Sequence, residues 1–137
     1  MKKMLWLYSA IILLALPSYP QATKADLPGS IQLLPGYTHK KEQGFDTSIG
    51  KIYKVRGITI SYDIGGLAGR RIDPEEKSDY AWYKEQTINN QTVRIAMSRD
   101  RELTVTFVKD SANFWARVRT NEDITDVLLM VLTYHTK

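Results

Sequence analysis

In the last third of the chain, apolar and polar residues alternate with period two in three successive runs. Val93, Ile95 and Met97 alternate with Thr92, Arg94 and Ala96; Leu103, Val105 and Phe107 with Glu102, Thr104 and Thr106; Phe114, Ala116 and Val118 with Trp115, Arg117 and Arg119. Successive side chains of an extended chain point to opposite faces, so each run predicts a strand with one buried and one solvated side. The period then changes. Ile124, Val127, Leu128, Val131 and Leu132 fall at i, i+3, i+4, i+7 and i+8, which is one stripe of a helix. Thr120 or Asn121 can cap it, and Glu122 and Asp123 lie at its positive end. A one-faced sheet and a one-striped helix bury their apolar sides most simply against each other. The expected fold is α+β: an antiparallel sheet of roughly five to seven strands, ending in the meander, with the C-terminal amphipathic helix packed on one face.

The upstream half adds to the same sheet. Ile58, Ile60, Tyr62 and Ile64 alternate with Thr59, Ser61 and Asp63, and residues 51–56 set Ile52 and Lys54 against Tyr53 and Val55. Gly57 between them marks a bulge or turn. Residues 37–43 (YTHKKEQ) are polar and suit an edge strand, where lysine discourages further pairing. A short apolar run at 31–34 stops at the turn signal Pro35-Gly36. Residues 80–88 (YAWYKEQTI) form an aromatic strand with Trp82 and Tyr83 on opposite faces, and Asn89-Asn90 suits a tight hairpin. The glycines at 65, 66 and 69 open a long connection, 65–79, in which Asp73-Pro74 reads as the cap and first position of a helical turn. Long connections inside small domains often carry function.

The start of the chain changes the picture of where the protein works. Lys2 and Lys3 precede a nearly unbroken apolar run at 4–16, followed by the polar, helix-breaking stretch PSYPQA. The run is shorter than the roughly 20 residues a bilayer span needs, so residues 1–22 read as a cleaved signal peptide, with no stable membrane span afterwards. Cleavage is expected after Ala22, with Ala25 as the alternative. Residues 23–30 read as a flexible start and 31–137 as a single domain. The expected location is outside the cytoplasm, periplasmic or secreted, in a bacterium. Cleavage after Ala22 removes two lysines and no acid, lowering the net charge from +4 to +2, which gives little support to nucleic-acid binding. The chain has no cysteine, which excludes disulfides, thiolate metal sites and a cysteine nucleophile.

Candidate chemistry is sparse. His39 and His135 lack the companions of a metal motif and read as surface residues, and no cofactor is implied. Gly44-Phe45-Asp46-Thr47-Ser48-Ile49-Gly50 reads as a side-chain-stabilised turn, with a small polar site around Asp46, Thr47 and Ser48 as the other reading. The stretch 65–71, ending in Arg70 and Arg71, offers backbone N–H groups and guanidiniums to an anion, but lacks the ending of a phosphate-binding loop. If the helix covers the apolar side of the sheet, the other side shows Arg94, Thr104, Thr106, Trp115, Arg117 and Arg119. A tryptophan beside arginines on a rigid sheet is a platform for an anionic or sugar-like small molecule, or for an envelope protein. Trp115 packed over arginine stems is the structural alternative. The residues singled out are Trp115, Arg117, Arg94, Arg70, Arg71 and Asp63. No nucleophile–base–acid set is recognisable. The function that follows is a non-catalytic binding or accessory protein of the cell envelope. The alternative is a small hydrolase using Asp46, Asp63 and Arg70 or Arg71 in the 44–50 and 65–71 loops.

Two motifs, Gly44-Phe45-Asp46-Thr47-Ser48-Ile49-Gly50-Lys51-Ile52 and Tyr62-Asp63-Ile64-Gly65-Gly66, resemble a group of small exported bacterial proteins to which no activity is attached. The resemblance spans about residues 34–66 and implies an envelope or secreted setting only. The meander and closing helix, ending in Val131-Leu132-Thr133-Tyr134, are similar to PsbP-like α+β domains, which implies the same fold class and no functional residues.

Overall fold

The computed structural model describes residues 26–68 and 71–136; the expected signal peptide, the expected cleavage positions Ala22 and Ala25, and Gly69 and Arg70 lie outside the described residues. Among the described residues seven strands are present: β1 (Tyr37–Glu42), β2 (Ser48–Lys54), β3 (Thr59–Ile64), β4 (Trp82–Ile88), β5 (Gln91–Met97), β6 (Glu102–Phe107) and β7 (Ala112–Arg117), followed by helix α1 (Asn121–Val131). They form one antiparallel sheet in the order β1-β2-β3-β7-β6-β5-β4. The α+β architecture with a terminal meander and helix is therefore as the hydrophobic pattern predicts.

The order explains the long connection. β3 pairs with β7, and β4 lies three places further on, running parallel to β3. A chain joining two parallel strands must return the length of the sheet, which no tight turn can do. The described parts of this connection, residues 65–68 and 71–81, make that return across the polar face, where Arg71 stacks on Trp115. Their one regular piece is a short 3-10 helix, Pro74–Asp79, capped as the sequence predicts: Asp73 Oδ1 accepts from the Glu75 backbone N–H at 2.9 Å. Ile72 anchors the crossover. It is fully buried yet stands apart from the main core, as does Ala96 on the polar side of β5.

The main core lies on the other face. Ile52, Ile60, Phe114, Val105 and Val93 run across the sheet under α1, which buries Val127, Met130 and Val131. The helix begins in a capping box: the Thr120 hydroxyl accepts from the Asp123 N–H at 3.1 Å, and Asp123 Oδ2 accepts from the Thr120 N–H at 3.0 Å. Beyond the helix, Tyr134 tucks its ring 4.9 Å from Phe107 and 5.3 Å from Phe114, centroid to centroid. Residues 28–31 close the same side. Ile31 enters the core, and the Ser30 hydroxyl donates to the Thr133 carbonyl at 2.6 Å while accepting from the His135 N–H at 2.8 Å.

Some local expectations shift. β2 starts at Ser48, because Ser48–Gly50 pair with Tyr62–Ile64 and the tight turn is confined to 43–47. β7 stops at Arg117, so Arg119 leaves the sheet and its N–H donates to Asp123 at 2.8 Å. At the β2–β3 turn Arg56, not Gly57, takes the left-handed conformation, with φ of 59°. His39 is not a surface residue. It occupies the core side of β1, half-buried against Tyr62.

Candidate functional site

Cross-strand register sorts the polar face into rows. One runs Asp63 (β3), Asn113 (β7), Thr106 (β6), Arg94 (β5), Glu85 (β4); the next runs Ser61, Trp115, Thr104, Ala96, Tyr83. Neighbours in a row are close enough to interact directly. The Thr106 hydroxyl donates to Asn113 Oδ1 at 2.9 Å. Arg94 Nε donates to Glu85 Oε2 at 3.0 Å, and the Tyr83 hydroxyl donates to the same oxygen at 3.1 Å. These hydrogen bonds, Arg94's foremost, hold the Glu85 carboxyl below its ordinary pKa.

The face is not the open platform that alternation suggests. Thr104, Thr106 and Asn113 retain 5%, 2% and 2% of their accessible surface. The reason is the crossover, whose path no periodicity announces. Where it leaves the sheet uncovered, a cleft of about 480 Å³ opens, lined by Asp63, Asn113, Trp115 and Thr104 from the sheet and by Arg71 and Tyr80 from the crossover. Ser98 and Glu102 close one end. The Arg71 guanidinium lies 3.8 Å from the centre of the Trp115 ring, and its Nη2 is 3.2 Å from Glu102 Oε1. The flat cation thus covers one side of the indole, an attraction strengthened where water is excluded.

Asp63 is the unusual member. It is half-buried, and its Oδ1 is closed off from solvent with no hydrogen-bond partner. Arg94 Nη1 and Gln91 Oε1 are in the same condition elsewhere. A buried, unsatisfied polar atom costs free energy that folding has to offset.

The candidate residues therefore divide. Trp115, Arg71 and Asp63 come together in the cleft. Arg94 sits two strands from Asp63's neighbour Asn113, bound to Glu85. Arg117 lies outside the cleft lining, paired with Asp100 at 2.9 Å on an exposed part of the sheet. Asp100 is held below the ordinary carboxylate range first by the Ser98 hydroxyl, which donates to it at 2.5 Å, and further by Arg117. Arg70 lies outside the described residues. Alternation had already placed Thr104 on this face; register, which alternation within one strand does not reveal, adds Asn113, and the crossover's return adds Tyr80.

The 44–50 loop meets the end of β3. A side chain on Gly65, whose φ is +144°, would lie 3.4 Å from the Asp46 carbonyl oxygen and the Thr47 Cα. The segments 44–52 and 62–66 are thus neighbours in space. Phe45 at the tip of this loop is fully exposed, and a separate shallow depression of about 500 Å³ follows residues 41–48.

Among the described residues no helix is long and apolar enough to cross a membrane, and no group of three or more potential metal ligands converges. No family model matches the chain, and no curated protein or solved structure matches it either.

Proposed function

We propose that this chain is an exported, non-catalytic binding or accessory protein of the bacterial cell envelope, and that the cleft beneath the crossover receives its small-molecule ligand. One observation carries the reading. Trp115 and Arg71 are stacked at 3.8 Å on the rim of a cleft of about 480 Å³, a size suited to a small molecule, whose sheet-side groups are buried or half-buried and fixed by register. Export rests on the basic start and short apolar run at the N-terminus.

The test is capture of small molecules by the chain lacking residues 1–22. Trp115→Ala and Arg71→Ala should each abolish capture while circular dichroism stays unchanged. Arg117→Ala, outside the lining, should retain it. Capture undiminished in the first two variants would remove the cleft from consideration.

The close approach of the 44–50 loop to the end of β3 at Gly65 supports a second reading, a small hydrolase around Asp46, Asp63 and Arg70 or Arg71. Turnover of an ester, phosphate or glycoside that disappears in Asp46→Asn or Asp63→Asn would replace the binding reading with this one.

A further inference from the structure

Resting on that binding reading, we propose that the cleft selects a protonated amine, and that Asp63 is the group that recognises it. Among the described residues three lining groups carry charge: Asp63, Arg71 and Glu102. Arg71 and Glu102 neutralise each other at 3.2 Å. Arg71 is also committed through its flat face to Trp115. Among these described groups the charge left over is the Asp63 carboxylate, which disfavours an anion, contrary to what an arginine-rich face suggests from sequence. Two further described arginines of this face are also paired. Arg94 is bound to Glu85 and Arg117 to Asp100.

The state of Asp63 sharpens the choice between a cation and a neutral polyol. Its Oδ1 has lost water and gained no donor. That desolvation is incurred on folding, so a cation arriving nearby gains Coulomb attraction without the carboxylate losing its solvent again. A hydroxyl donor brings no net charge, so it makes a hydrogen bond to the carboxylate without the Coulomb attraction between opposite charges that an ammonium adds. The remaining lining is complementary. Thr104 and Ser98 offer hydroxyl oxygens, and Trp115 and Tyr80 offer π faces, both of which suit an ammonium group on an apolar stem.

The experiment uses three probes of nearly one shape: benzylamine, benzyl alcohol and benzoate, titrated calorimetrically into the chain lacking residues 1–22. Benzylamine should bind at least about tenfold more tightly than benzyl alcohol, and benzoate weakest. Asp63→Asn should remove the benzylamine advantage and leave benzyl alcohol unchanged. The free Asp63→Asn protein should melt at the same or a higher temperature, because an unsatisfied buried charge has been removed; a purely structural Asp63 would lower it. On the unmutated protein, high salt should weaken benzylamine and spare benzyl alcohol, a result that needs no variant to fold. Trp115-dependent binding of benzyl alcohol or benzoate with no advantage for the amine would overturn the amine assignment and leave the cleft standing. Failure of all three probes to bind would overturn both.

Discussion

His39 Nε2 lies 2.8 Å from the Tyr62 hydroxyl, joining the edge strand β1 to the central strand β3 across β2. Gly50 of β2 makes this reach possible. A side chain there would collide with the Tyr62 hydroxyl and lie 2.6 Å from the Lys40 carbonyl oxygen. Burial pushes the Tyr62 phenol up to about 12, so it keeps its proton at neutral pH. Burial, with Lys41 adding to it and Asp26 opposing it, lowers the His39 pKa below its ordinary 6.5.

That shift predicts a pH dependence of stability. Folding weakens the imidazole's hold on a proton, so between the folded and unfolded values the unfolded chain binds more protons. The contribution of neutral His39 is complete above 6.5 and is lost as pH falls through the lower folded value. Urea midpoints should therefore decrease between neutral pH and pH 5. His39→Gln, which can still bond Tyr62 but does not titrate, should flatten the decrease. An unchanged slope in the variant would assign the acid sensitivity to other groups.

The buried bond from Thr106 to Asn113 supports the floor beside the cleft. Thr106→Val keeps the shape and removes the donor facing Asn113 Oδ1. Such a loss costs about 1–3 kcal/mol. Urea unfolding should show a decrease of that order with an unchanged m-value. Stability equal to the parent's would mean that this hydrogen bond makes no net contribution.

The closing helix should respond according to side. Met130 is fully buried and Leu129 is 56% exposed. Met130→Ala should destabilise by about 2–5 kcal/mol through the cavity it leaves, whereas Leu129→Ala should stay within about 0.5 kcal/mol of the parent. Thermal melts of the two variants give the comparison directly. Equal effects would contradict the packing of α1 on the sheet.

Features governed by neighbouring residues were legible in the sequence. The Ile124–Leu132 stripe gave the helix side apart from Met130, which the i, i+3, i+4 sequence of positions passes over. Asn89 and Asn90 take positive φ values of 50° and 60°, as a tight hairpin requires, and Asp73 caps the turn begun by Pro74. Pairing between distant segments was not legible. Nothing in β3 or β7 alone says that Asp63 faces Asn113, because register is set by the whole sheet. The decisive omission was Ile72. A lone isoleucine in a polar connection has no period to read, yet its burial lays the crossover over the face that alternation had assigned to water. Trp115, Arg71 and Asp63 were found by residue type; their assembly into one cleft depended on that crossover.

Ser30 grips both Thr133 and His135 on the helix-bearing side of the sheet. Ser30 and His135 consequently lie together at one pole of the molecule, while the cleft opens on the reverse. Tethering at that pole, to an envelope component or to a sensor chip, leaves the mouth of the cleft facing outward.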